Sequence, residues 1–116
     1  MAIASQFRVP DEVELLEFFG AEAVERVVVD GYWCYETSDD RGVTLRLSFH
    51  LYEQSVQTRL SLGGTLIATV SHEGADRMLL DDGKLRCDFS TAGEKTMLTV
   101  EVAPRLSVVW SSLRTE

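Results

Sequence analysis

The stretch Arg77 to Phe89, RMLLDDGKLRCDF, decides the fold. Asp82-Gly83 is a pair that favours the two-residue turn of a β-hairpin, because both positions tolerate positive φ. Folding the chain there sets Leu80 opposite Leu85 and Met78 opposite Cys87. On the other face Asp81 meets Lys84 and Arg77 meets Asp88. A slip of one residue would turn every side chain over, so one apolar face and one charge-matched face in the same register identify a half-buried antiparallel hairpin.

The pattern continues downstream. A loop around Ala92 to Lys95 is expected to pair Phe89 with Leu98, Cys87 with Val100 and Arg86 with Glu101. A turn around Pro104 then pairs Val102 with Leu106, Val100 with Val108 and Leu98 with Trp110. Pro104 falls in the connection, where its missing N–H breaks no ladder bond. Four consecutive strands follow from this: Arg77 to Asp81, Lys84 to Ser90, Thr96 to Val102 and Leu106 to Ser112.

Upstream, Val43, Leu45, Leu47, Phe49 and Leu51 alternate with Thr44, Arg46, Ser48, His50 and Tyr52, the period of a strand with one buried face. The acidic loop Ser38 to Gly42 joins this strand to Tyr32–Thr37, with Trp33 and Tyr35 pointing inward. At Gly63-Gly64 a strict two-residue turn would set Leu60 and Leu62 on the opposite face from Leu66, Ala68 and Val70, leaving apolar surface to solvent. A three-residue loop with a glycine bulge, pairing Leu62 with Leu66 and Leu60 with Ala68, is therefore expected. From Val24 onward the whole chain reads as strand and turn.

One helix precedes the strands. Pro10 suits a first helical position, Asp11, Glu12 and Glu14 suit the positive end of the dipole, and Gly20 is a stop. Val13, Leu15, Leu16, Phe18 and Phe19 give residues 10–19 an apolar face, expected to lie over the edge or mouth of the sheet. The fold class is mainly β (α+β): an antiparallel up-and-down meander of about eight or nine strands with one N-terminal helix. Such strands close into a curved barrel-like sheet or stack as a sandwich, and 1–116 form a single domain.

Charge narrows the partners. Eleven basic and nineteen acidic residues give a net charge of −8. Residues 1–58 carry four Arg against eleven Asp or Glu, while residues 59–116 are nearly balanced, seven against eight. That disfavours nucleic acid and anionic membrane as direct partners, because both are bound through cations, and favours a basic protein. No stretch approaches the roughly 20 apolar residues of a membrane span, and no leader pattern opens the chain, so a cytoplasmic location is expected.

Catalytic chemistry is not signalled. There is no nucleophile elbow, and neither Cys34 nor Cys87 neighbours a histidine in sequence; both are expected to be small buried groups. Cys34 beside His50 on adjacent strands is conceivable, but Cys34 falls on the face opposite Trp33. His72 ends a strand on its apolar face, where a backbone hydrogen bond is the simplest role. Two His and two Cys on scattered strands make no zinc pattern, and Asp39-Asp40 and Asp81-Asp82 read as turn formers, not calcium ligands. No metal, cofactor or catalytic residue is therefore assigned. The acidic and aromatic side chains Glu36, Asp39, Asp40, Tyr52 and Glu53 are the candidates for partner binding, although the two loops that carry them lie at opposite ends of their shared strand. A calycin-like barrel for a small apolar ligand, or a small enzyme using His50 or His72, remain alternatives.

The stretch LLEFFGAEAVERVVVDGYWCYETSDDRG (15–42), with VTLRLSFHLYEQSVQTRL (43–60), resembles the immunity proteins encoded beside bacterial polymorphic toxins. The resemblance implies a small acidic β protein that binds and blocks one cognate toxin domain, often a basic nuclease. It carries over no functional residue.

Overall fold

The computed structural model describes residues 6–114, and residues 1–5 and 115–116 lie outside them. Nine strands form two antiparallel sheets in which every strand pairs with its neighbour in sequence. The first sheet holds β1 (Glu25–Val27), β2 (Tyr32–Ser38), β3 (Val43–His50), β4 (Ser55–Leu62) and β5 (Thr65–Glu73). The second holds β6 (Ala75–Asp81), β7 (Lys84–Thr91), β8 (Glu94–Glu101) and β9 (Ser107–Arg114). Neither sheet closes on itself, so the architecture is the sandwich and not the barrel.

The faces follow the alternation of the sequence. Leu45, Leu47, Phe49 and Val56 of the first sheet meet Met78, Leu85, Cys87, Phe89, Leu98 and Val100 of the second, all buried. Each such side chain contributes about 1.5–3 kcal/mol relative to leaving it in water. Trp33 stacks on Phe49 at 5.8 Å and Trp110 tilts against Phe89 at 5.4 Å. With the interior filled by these rings and with open sheets, the barrel that would hold a small apolar ligand has no lumen.

The helix α1 (Glu12–Phe19) starts two residues later than the apolar pattern suggested. Asp11 caps it: its carboxylate accepts Glu14 N–H at 2.8 Å, and Glu14 Oε1 accepts Asp11 N–H at 3.1 Å. This reciprocal box displaces Pro10 to the residue before the cap. Leu15 and Phe19 point into the core, with Phe19 stacked on Tyr35 at 4.9 Å, whereas Val13 and Leu16 stay exposed. Ahead of the helix, Phe7 is buried against Phe49, and Arg8 pairs in parallel with Arg77 along the outer edge of β6.

Most pairings match the expected registers. Leu80 faces Leu85, Met78 faces Cys87, Arg77 faces Asp88, Val100 faces Val108 and Leu98 faces Trp110. Two differ. The β7–β8 ladder is shifted by two residues, so that Leu85 faces Val100, Cys87 faces Leu98 and Phe89 faces Thr96. The cause is a tight turn at Ala92-Gly93, with Ala92 at φ 48°, where the sequence suggested a longer loop. An even shift keeps every side chain on its expected face, so the core is unchanged. At Gly63-Gly64 both φ values are positive, 56° and 85°, and the turn is the strict two-residue kind. The bulge lies further along at Ile67: Leu60 faces Ala68 as expected, but Leu66 now faces Ser61 and Leu62 faces Thr65. Leu62, Leu66 and Ile67 are left exposed. The chain thus presents to solvent the apolar surface that the expected loop would have hidden.

The junction between sheets is a single residue. Gly74, at φ 79°, follows β5 directly into β6, and a Cβ there would lie 2.4 Å from Thr91 Oγ1 and 2.9 Å from the Ser90 carbonyl oxygen. Only glycine allows β5 to turn into the second sheet this closely.

Candidate protein-binding surface

One end of the first sheet brings two turns together. After β1 the chain makes one turn of 3-10 helix, Val28–Asp30, closed by Gly31 N–H donating to the Val28 carbonyl at 3.0 Å. Gly31 is at φ 65°, and its carbonyl accepts Leu51 N–H at 2.8 Å. A Cβ on Gly31 would meet the Tyr52 ring at 3.1 Å, so the ring of Tyr52 lies directly on the Gly31 backbone. The β3–β4 turn, residues 51–54, and the Val28–Asp30 turn are therefore adjacent.

What they expose is unusual for a solvated loop. Val29 is 82% exposed and Tyr52 73%, with Val27 and Val28 also open to water. Asp30 and Glu53, both exposed, border these side chains, and no cation among the described residues pairs with either. An apolar centre with an acidic rim has the anatomy of a protein interface, and tyrosine is among the side chains that most often carry binding energy there. Tyr52 and Glu53 belong to the expected set, but Val27 to Asp30 do not. In sequence the valine run reads as a strand burying alternate residues, whereas β1 is exposed along its length and the 3-10 turn exposes Val28 and Val29 together.

Asp39 and Asp40 lie at the other end of β3, roughly 25 Å away for a strand of this length, and Glu36 lies midway along it. Glu36 stands across from Arg46 on the outer face, 3.7 Å from its guanidinium, and Arg46 also pairs with Glu25 and donates from Nε to Cys34 Sγ at 3.1 Å. Asp40 is exposed at the turn. Asp39 is almost fully buried, and its carboxylate accepts Arg41 N–H (2.9 Å), Arg41 Nε–H (2.8 Å), Val43 N–H (3.1 Å) and Leu106 N–H (3.3 Å). Burial raises its pKa, but these donors outweigh that and hold it down at about 2. Arg41 Nη2 donates in addition to the Leu106 carbonyl at 2.9 Å. Asp39 and Arg41 thus tie the β2–β3 turn to the β8–β9 connection.

The histidines sit in different settings. His72 is half-buried, its ring 5.0 Å from Phe89 and 6.1 Å from Trp110. Nδ1 lies 2.9 Å from the Glu73 carbonyl, which can only accept, so Nδ1 carries the proton and Nε2 accepts from the buried Thr96 hydroxyl at 3.3 Å. Thr96 Oγ1 also meets Ser112 Oγ at 3.2 Å. The two ring nitrogens of His72 and the hydroxyls of Thr96 and Ser112 each have a partner. His50 packs on Tyr32 at 4.6 Å over a shallow depression of about 270 Å³ lined with Ser48, Ser55, Gln57 and Ser71. Burial first, then Cys34 and Glu25, raises the Tyr32 phenol, which stays protonated. Cys34 pairs across the ladder with Ser48, not His50, and its sulfur receives Arg46. Both cysteines are free and buried; burial above all, with Asp88 and Asp76, pushes the Cys87 thiol up, so it behaves as an inert apolar group. Among the described residues no three His, Cys, Asp or Glu converge as metal ligands, and no helix is long and apolar enough to cross a membrane.

No protein-family model and no curated protein matches the sequence. Among solved structures, the chain superposes on one titled contact-dependent growth inhibition toxin–immunity protein complex, from Klebsiella pneumoniae 342, with a TM-score of 0.83. The two chains share a fold. The alignment covers 91% of this chain and 96% of that one at 22% identity, so the likeness spans both sheets and concerns their arrangement, not a conserved set of side chains.

Proposed function

We propose that this chain is a non-enzymatic immunity protein, which binds a basic toxin domain in the cytoplasm and blocks it. The observation that carries the proposal is the surface at Val28, Val29 and Tyr52, an exposed apolar centre bordered by the carboxylates of Asp30 and Glu53, which pair with no cation among the described residues. The fold shared with a chain from a toxin–immunity protein complex supports it, as does the net charge of −8. The apolar centre supplies affinity by excluding water, while the carboxylates steer a cationic surface into place. Asp40, at the far end of β3, and Glu36, midway along it beside Arg46, extend the acidic field that draws such a partner in, and Asp39 serves the turn that presents Asp40.

The test is titration calorimetry against the toxin-like protein encoded next to this chain. Binding with a Kd of about 1 μM or tighter is expected, weakening as salt is raised. No heat and no complex at that concentration would overturn the proposal.

A further inference from the structure

The β4–β5 hairpin carries a second surface, chemically unlike the first. β5 is the last strand of its sheet, and no ladder partner lies along its outer side among the described residues. The opposite case is β6, whose outer edge is paired by the segment at Arg8. An edge strand shows a row of unpaired N–H and C=O groups, and β proteins ordinarily blunt such rows with charge, proline or a covering segment. β5 has none of these over Thr65 to Ser71, TLIATVS. Its only irregularity is the bulge at Ile67, which turns that side chain out to 62% exposure beside Leu66 at 48%.

We infer that the outer edge of β5 pairs with the same edge of a second copy of this chain, joining two five-stranded sheets into one about a two-fold axis. Charge selects this occupant. From Ser55 to Ser71 the only ionisable group is Arg59, so all of the hairpin but its last two residues, His72 and Glu73, offers a basic partner no carboxylate and one repelling cation. A second copy meets no such penalty. Antiparallel self-pairing centred anywhere between Ile67 and Val70 sets Glu73 opposite residues 61–67, all uncharged, so no like charges face each other across the new ladder. Such an interface is isologous, presenting Ile67 and its neighbours to their own counterparts.

The salt dependence separates this contact from the toxin-binding surface. Two copies, each with a net charge of −8, repel at long range, and salt screens that repulsion. Self-association therefore strengthens as salt rises, whereas binding of a basic partner at Tyr52 weakens.

Sedimentation velocity of the full chain, with amide exchange in parallel, tests the inference. At about 100 μM a dimer is expected, with its fraction rising between roughly 50 and 500 mM salt and slower exchange at Ile67 to Ser71 in the dimer. Ile67→Lys and Thr69→Lys, both at exposed positions, are each expected to weaken the dimer at least about tenfold while thermal unfolding shows the fold retained. A monomer at that concentration in either salt overturns the inference, as does a dimer untouched by both substitutions. Protection of β5 only when a basic partner is added also overturns it, assigning the edge to that partner.

Discussion

The carboxylate of Asp39, in the turn after β2, accepts the backbone N–H of Leu106 at 3.3 Å from the connection that leads into β9. This bond joins the two sheets at the end where Gly63 N–H also reaches the Gly42 carbonyl. A buried carboxylate in that position makes the sandwich sensitive to acid.

The sign follows from the pKa. Asp39 falls from an ordinary 3.8 to about 2 in the folded chain, so the unfolded chain takes up its proton first as the solution is acidified. Its contribution is complete above pH 3.8 and is lost as pH falls to about 2. Asp39→Asn keeps one acceptor oxygen but loses the charge facing Arg41. Urea unfolding at a series of pH values should show the wild-type curve falling below pH 4 more steeply than that of Asp39→Asn, and parallel curves would refute this role.

Ala92 stands at φ 48°, a left-handed conformation costing a residue with a Cβ about 1–2 kcal/mol. Ala92→Gly removes the clash at some cost in unfolded-chain entropy, and Ala92→Asn avoids much of both. Each should raise stability by about 0.5–1 kcal/mol, read as a melting temperature a few degrees higher in calorimetry. No gain would mean that the turn relaxes in solution to the longer loop.

Ala92 also shows where the sequence was legible and where it was not. The Asp82-Gly83 turn could be read because both residues favour positive φ, and its register followed pair by pair. Ala92 carries no such preference, so the β7–β8 register came out two residues away although the buried face was right. Burial needs only parity, whereas register needs the turn. The proposed binding surface was half legible for a related reason: Tyr52 and Glu53 sit in an evident turn, but the exposure of Val28 and Val29 depends on a 3-10 turn packed on Tyr52, a contact between segments over twenty residues apart. Likewise Asp39 reads as an acidic loop residue, and only the approach of Leu106 reveals it as a buried strut.

The His72–Thr96–Ser112 chain is expected to be structural. His72→Ala removes ring packing against Phe89 and Trp110 and one of the two hydrogen-bond partners of the buried Thr96 hydroxyl, so a loss of about 2–4 kcal/mol is expected in chemical denaturation. In the proposed role, partner affinity measured under folding conditions should be unchanged, because the His72 ring turns toward Phe89 and Trp110 of the second sheet. An affinity loss with intact stability would point instead to a functional histidine.

Tyr52 and the carboxylates beside it should fail in different ways. Tyr52→Ala removes the ring packed on Gly31, and with it about 2 kcal/mol of binding, a roughly thirtyfold weaker Kd carried mainly by faster dissociation. Asp30→Lys and Glu53→Lys leave that apolar centre in place but reverse the local field, so association with a basic partner should slow about tenfold at low salt and converge with wild type as salt screens the difference. Stopped-flow mixing and dissociation rates measured by surface plasmon resonance separate the two. If the charge reversals leave association unchanged at low ionic strength, the acidic rim does not steer the partner, and if Tyr52→Ala also leaves dissociation unchanged, the proposed partner meets the sandwich elsewhere.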